Sequence, residues 1–157
     1  MIARKATSGV ACMELHVGPL FDRISHVNPE LDHSLCARYP QIFSDRDAPK
    51  RLCAMGRGFE VGDGWYPLID LLCRALQRET GCRGAPQVMA CQVKEKLGSL
   101  RFRVRHASER QHAMITFAEA VSTRVCDVCG VAAWPGHATD ATGAPRCRQH
   151  GDPGRIG

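Results

Sequence analysis

Four residues near the C-terminus constrain this chain most. Cys126-x2-Cys129 and Cys147-x2-His150 flank a 17-residue connection. Two ligand pairs, each on a tight knuckle, supply the corners of a tetrahedron, the geometry Zn2+ takes in closed structural sites. Gly130 suits the turn of the first knuckle. The connection is rich in turn formers, Trp134-Pro135-Gly136 and Gly143-Ala144-Pro145. Such a segment has little core of its own and depends on the metal to fold. The spacing therefore predicts one structural zinc ion on Cys126, Cys129, Cys147 and His150. A variant places His137 in the position of His150. Four protein ligands leave no open coordination position, so the site does not read as catalytic.

The remaining cysteines are Cys12, Cys36, Cys53, Cys73, Cys82 and Cys91, nine in all with the three ligands. The number is odd and the spacing carries no motif, unlike a secreted disulfide framework. They read as reduced structural thiols, several in apolar stretches. No apolar run approaches the roughly 18 residues a membrane span needs, and Glu14 and His16 interrupt any leader-like stretch. The expected setting is the cytoplasm.

At 157 residues the chain suits one domain with a small appendage. Residues 1–27 form an arm without clear periodicity, and Met13 is an alternative start. Residues 28–124 form the core, 125–150 the zinc subdomain and 151–157 a tail. Asn28-Pro29-Glu30 reads as a helix start, with an N-cap, a proline in the first turn and a carboxylate at the positive end. Pro40 ends that helix. Gly56, Gly58, Gly62 and Gly64 match no phosphate-binding pattern and read as a structural turn into the next helix. That helix has Pro67 in its first turn and an apolar face of Leu68, Ile69, Leu71, Leu72, Ala75 and Leu76. Gly81 is its expected C-cap. Trp65 and Tyr66, at its entrance, are expected to pack on it.

Gln87 to Lys96 and Leu100 to Arg105 read as strands, joined by a turn at Gly98-Ser99 into an antiparallel hairpin. The second strand alternates Leu100, Phe102 and Val104 with Arg101, Arg103 and Arg105. Ser108 and Gln111 have capping-box spacing and open a final helix to about Arg124. Its buried side is expected to hold Met114, Phe117, Ala118, Val121 and Val125. The fold class is thus α+β: helices packed on one side of a small antiparallel hairpin or sheet, plus a Cys3His zinc knuckle.

The net charge is +5, and residues 87–110 hold six basic side chains against Glu95 and Glu109. Four of the five net charges therefore lie in that segment. Arg101, Arg103 and Arg105 share one side of a strand, roughly 6.6 Å apart, and Lys94 and Lys96 join them across the hairpin. Guanidinium groups pair with phosphates or carboxylates, so the face fits an acidic protein surface or nucleic acid. It equally fits the ordinary solvated side of a hairpin. No exposed aromatics flank it for base stacking. An uncovered edge strand would permit a homodimer. Asp63, Asp70, His106 and His112 are the candidates for catalysis, and their spacing suggests no acid–base or paired-metal site. No catalytic residue is assigned.

The strings Gly62-Asp63-Gly64-Trp65-Tyr66-Pro67-Leu68-Ile69-Asp70, Gln92-Val93-Lys94-Glu95-Lys96-Leu97-Gly98-Ser99-Leu100-Arg101-Phe102, Ala118-Glu119-Ala120 and Cys126-Asp127-Val128-Cys129-Gly130 resemble a family of small bacterial, phage and prophage proteins that carries no known activity. The resemblance spans about residues 28–150. Leu97 departs from the Phe of the pattern, a change of packing more than of chemistry. The resemblance implies a mobile-element setting. It thereby implies an interaction protein acting on host machinery, for instance an inhibitor of a nucleic-acid-binding defence complex of the CRISPR–Cas type. A zinc-stabilised DNA- or RNA-binding accessory protein is the alternative, and a nuclease a more distant one.

Overall fold

A computed structural model of the chain describes residues 26–49, 53–133 and 143–151. Most of the N-terminal arm, Cys12, the Trp134-Pro135-Gly136 turn, His137 and the tail beyond Gly151 lie outside the described residues. The architecture is α+β. Helix α1 spans Pro29–Arg38, strand β1 Phe59–Glu60, helix α2 Tyr66–Arg83, strand β2 Met89–Lys96, strand β3 Ser99–Arg105 and helix α3 Glu109–Ser122. Short 3-10 turns at Ala54–Arg57 and Asp63–Trp65 lead into β1 and α2.

The helix starts follow the local chemistry. The Asn28 side chain accepts from the Glu30 N–H at 2.8 Å, and Pro29 opens α1. Ser108 and Gln111 form the reciprocal capping box of α3. Helix α2 runs on through Gly81 and ends one turn later, where Gly84 adopts φ 67°. A left-handed residue that closes the last turn is what a C-cap requires, and Gly84 meets that requirement.

The sheet order is β1-β2-β3. β2 and β3 pair antiparallel as expected, but β1 adds a parallel strand, Phe59 beside Val93 and Glu60 beside Lys94. The hairpin turn is Leu97-Gly98 rather than Gly98-Ser99, with φ 53° and 77°, and Ser99 already pairs with Lys96. Two successive positive φ values are the mark of the type I′ turn, whose twist matches the strands it joins. The register shifts by one residue between Ala90 and Gln92, as at a β-bulge.

α2 and α3 lie antiparallel. The Trp65 indole donates to the Val125 carbonyl at 2.9 Å at one end. Arg110 reaches Glu79 at 3.1 Å and Gln111 reaches Thr80 at 3.3 Å at the other. α3 also closes the outer edge of β3. The Leu100 N–H donates to the Ser122 hydroxyl at 2.8 Å and the Phe102 N–H to the Glu119 carboxylate at 2.9 Å. Beyond the opposite edge, the Val27 N–H donates to the Phe59 carbonyl at 3.2 Å. At these positions the chain itself occupies the edges at which a second copy would pair.

Leu35, Ile42, Met55, Phe59, Trp65, Ile69, Leu76, Val93 and Leu100 are fully buried in one core. Trp65 packs as its position suggested. Two apolar residues do not: Leu71 is 57% and Phe117 71% exposed. α3 instead buries Gln111, Ile115, Ala118 and Ser122, the line that faces β3 and α2.

Candidate metal centre and basic sheet face

The C-terminal limb leaves α3 at Thr123 and folds into two knuckles. In the first, the Gly130 N–H returns to the Cys126 carbonyl at 2.9 Å, with Gly130 at φ 77°. In the second, the N–H groups of His150 and Gly151 return to the Cys147 carbonyl at 3.0 and 2.8 Å. The Asp127 N–H donates to the Pro145 carbonyl at 3.1 Å, and Arg146 forms an ion pair with the buried Asp127 carboxylate. The knuckles are thereby tied to each other as well as to the core.

These turns bring Cys126, Cys129, Cys147 and His150 together, with their ligand atoms all within 4.8 Å of one another. Cys129 Sγ and Cys147 Sγ are 3.7 Å apart, and His150 Nδ1 lies 3.6 Å from Cys126 Sγ and 3.3 Å from Cys147 Sγ. Tetrahedral Zn2+, with Zn–S about 2.3 Å and Zn–N about 2.0–2.1 Å, requires about 3.8 Å between sulfurs and about 3.6 Å between sulfur and nitrogen. The donor set can hold one metal ion, with Nδ1 as the histidine ligand.

The thiols are tuned by their knuckles. Burial pushes Cys126 up, but the N–H groups of Cys147, Cys129 and Val128 and the His150 ring outweigh it, so the net direction is down. Cys147 is likewise lowered: burial is outweighed by the N–H groups of Gln149 and His150 and by the thiols of Cys129 and Cys126. At the exposed Cys129 the Val131 N–H pulls downward, yet burial and the neighbouring Cys126 and Cys147 carry it above 9.0. Among the described cysteines no disulfide forms.

The glycine-rich turn before α2 is where the knuckle sits. The Gly64 N–H donates to the Asp127 carbonyl at 2.8 Å. A Cβ on Gly62 would stand 2.1 Å from that oxygen, and one on Gly64 would stand 2.2 Å from the Cys126 carbonyl oxygen. Backbone thus packs on backbone, an approach only glycine allows. The pattern of two glycines one residue apart before a tryptophan is the signal that points to such a contact. Asp63, between them, accepts from the Asn28 N–H at 2.7 Å.

The basic residues lie on the side of the sheet away from Leu100 and Phe102. Lys94 stands opposite Arg101, Arg103 opposite Gln92, Arg105 opposite Met89, and Lys96 opposite Ser99 at the hairpin end. Two of the five are engaged within the chain: Arg101 with Glu119 at 3.5 Å, and Arg105 with Asp45. Among the described residues no carboxylate lies within ion-pair distance of Lys94, Lys96 or Arg103.

The other polar candidates are dispersed. Asp70 accepts from the Tyr39 hydroxyl at 2.8 Å and from Arg38 at 2.5 Å, which fastens α1 to α2. His106 follows β3 at φ 61°, and His112 is exposed on the first turn of α3. None of the four joins a metal-holding cluster among the described residues. No helix among the described residues is long and apolar enough to cross a membrane. Compared with protein-family models, curated proteins and solved structures, the chain matches none.

Proposed function

We infer that the chain is a non-enzymatic interaction protein, stabilised by one structural Zn2+ on Cys126, Cys129, Cys147 and His150, that docks through the outer face of its sheet onto an acidic patch of a protein partner. The observation that carries the reading is the set of cations on that face, Lys94, Lys96 and Arg103, without an ion-pair partner among the described residues. A carboxylate-bearing surface would supply those partners. Carboxylates border the same face: Glu60 stands beside Lys94 in the sheet, Asp45 meets Arg105 and Glu119 meets Arg101 at the β3 edge. Each of these is paired with an arginine, so the face alternates neutralised pairs with free cations, a pattern that a protein surface of mixed charge can match position by position. This favours protein over nucleic acid. The mobile-element setting implied by the family resemblance makes a host complex the fitting class of target, a CRISPR–Cas type defence complex being one example.

Cys126, Cys129, Cys147 and His150 would hold the zinc ion, which would supply rigidity rather than catalysis; the chain's part is to orient these four ligands through the knuckle N–H groups and the Gly62–Gly64 seat.

The test is capture of the tagged protein's partner from host lysate, with and without nuclease, beside a Lys94→Glu/Arg103→Glu variant. A protein retained after nuclease and lost in the variant supports docking on an acidic protein surface. Capture that nuclease abolishes entirely would instead establish direct nucleic-acid binding.

A further inference from the structure

The α2–α3 layer carries an apolar seam that faces solvent. Arg110, Met114, Phe117 and Val121 recur at the spacing of one helix face, and Arg110 reaches Glu79 of α2. That line therefore runs along the junction of the two helices. On α2 the corresponding line from Glu79 runs through Ala75 and Leu71 to Leu68. Leu71 and Phe117 are the two strongly exposed apolar side chains of these helices, 57% and 71%. Leu68 and Met114 lie partly buried beside them, against the core.

The rim is mainly basic: Arg74 pairs with Asp70 at 4.0 Å and Arg110 with Glu79 at 3.1 Å, while Arg78 and Arg124 have no ion-pair partner among the described residues. Arg74, Arg78 and Arg124 are exposed, and Arg110 is exposed beside the buried Glu79. Between Asp70 and Glu79 the sequence of α2 has no carboxylate. Between Glu109 and Asp127 the sole carboxylate is Glu119, and it is turned to β3, accepting from the Phe102 N–H. A second copy laid on this seam would bring arginine rims together, which like-charge repulsion opposes. An apolar stripe flanked by carboxylates satisfies both the seam and its rim.

We propose that the α2–α3 seam is a docking groove for an acidic amphipathic helix of a protein partner, with Leu71 and Phe117 as its apolar anchors and Arg74, Arg78, Arg110 and Arg124 as its charged rim. The seam lies on helices, and the basic sheet face lies on strands, so the two surfaces stand or fall separately.

The test uses a synthetic amphipathic helix with leucines at helical spacing and glutamates elsewhere, and a twin with lysines in place of the glutamates. Binding is followed by amide NMR on the full chain. The glutamate peptide is expected to shift the amides of Leu71, Ala113, Phe117 and Ala120 and to leave those of Lys94 to Arg103 in place. Phe117→Ala and Leu71→Ala are each expected to weaken it about tenfold, or ~1.4 kcal/mol, and added salt to weaken it further. Both side chains are exposed, so the variants remain folded, which far-UV circular dichroism verifies. Three results overturn the proposal: equal binding of the lysine twin, shifts confined to the sheet face or absent at millimolar peptide, or a dimer in sedimentation that Phe117→Ala abolishes. The last would make a second copy the occupant.

Discussion

The Gly64 amide donates to the carbonyl oxygen of Asp127 at 2.8 Å, and this bond joins the entrance of α2 to the Cys126–Cys129 knuckle. It is flanked by the Trp65 indole, which holds the Val125 carbonyl at 2.9 Å. The knuckle is therefore seated on the core at the point where Trp65 is buried, and disturbance of either side is expected to reach the other.

Gly64→Ala would place a methyl group 2.2 Å from the Cys126 carbonyl oxygen and 2.5 Å from the Gly130 nitrogen. Both obstacles are backbone, so relief requires the knuckle to lift. A loss of about 2–4 kcal/mol in denaturant unfolding is expected. Gly81→Ala is the control: nothing lies within 4 Å of its added Cβ, inside a helix. It is expected to stabilise by about 0.5–1 kcal/mol.

Leu97→Asn bears on the hairpin turn. Leu97 sits at φ 53° and is 82% exposed, so its side chain gains little packing within the described chain. The left-handed conformation costs a residue of this kind about 1–2 kcal/mol, and Asn tolerates it better. A rise in stability of about 0.5–1 kcal/mol is expected in thermal or denaturant unfolding.

Glu119→Ala removes the acceptor of the Phe102 N–H and the partner of Arg101 together. Exposing one edge amide and one arginine is expected to cost about 1–2 kcal/mol. It also uncovers part of the β3 edge, so light scattering at raised protein concentration should increase relative to the parent chain.

Thiol reactivity should separate the cysteines. Burial, with the Asp32 carboxylate beside it, pushes Cys36 from 9.0 to about 12, and burial carries Cys73 well above 9.0. Both remain protonated through mild alkaline pH and are expected to react with iodoacetamide far more slowly than the exposed Cys82. The linkage has a definite sign. The unfolded chain releases these protons near pH 9, and the folded chain releases that of Cys36 only near pH 12. Over that window the native state binds more protons, so stability falls as pH rises.

Much of this organisation is legible in the residues. Asn28-Pro29 and Ser108 with Gln111 are local capping signals, and the structure uses both. The Cys-x2-Cys and Cys-x2-His pairs are also local, so their convergence follows once the two knuckles meet. What escapes is tertiary. β1 is two residues long, too short for any period, and its parallel pairing depends on where α2 and β2 fall. Gly98 draws the turn one residue late, because nothing in the side chain of Leu97 announces a positive φ. α3 has small or apolar residues on several faces, so its periodicity does not show that Phe117 lies outward and Gln111 inward. The glycine turn is legible as a turn into α2, but only the fold shows that it is a seat for the Cys126–Cys129 knuckle.

The most direct test of the account is native mass spectrometry of the full chain, paired with amide hydrogen exchange at Gly64. One zinc ion per chain is expected. Cys147→Ser is expected to lose this ion, and the Gly64 amide, bonded to Asp127 in the parent, then to exchange much faster. A C-terminal limb that stays equally protected without zinc, or a Cys147→Ser variant that keeps both its zinc and the protection of Gly64, would contradict this.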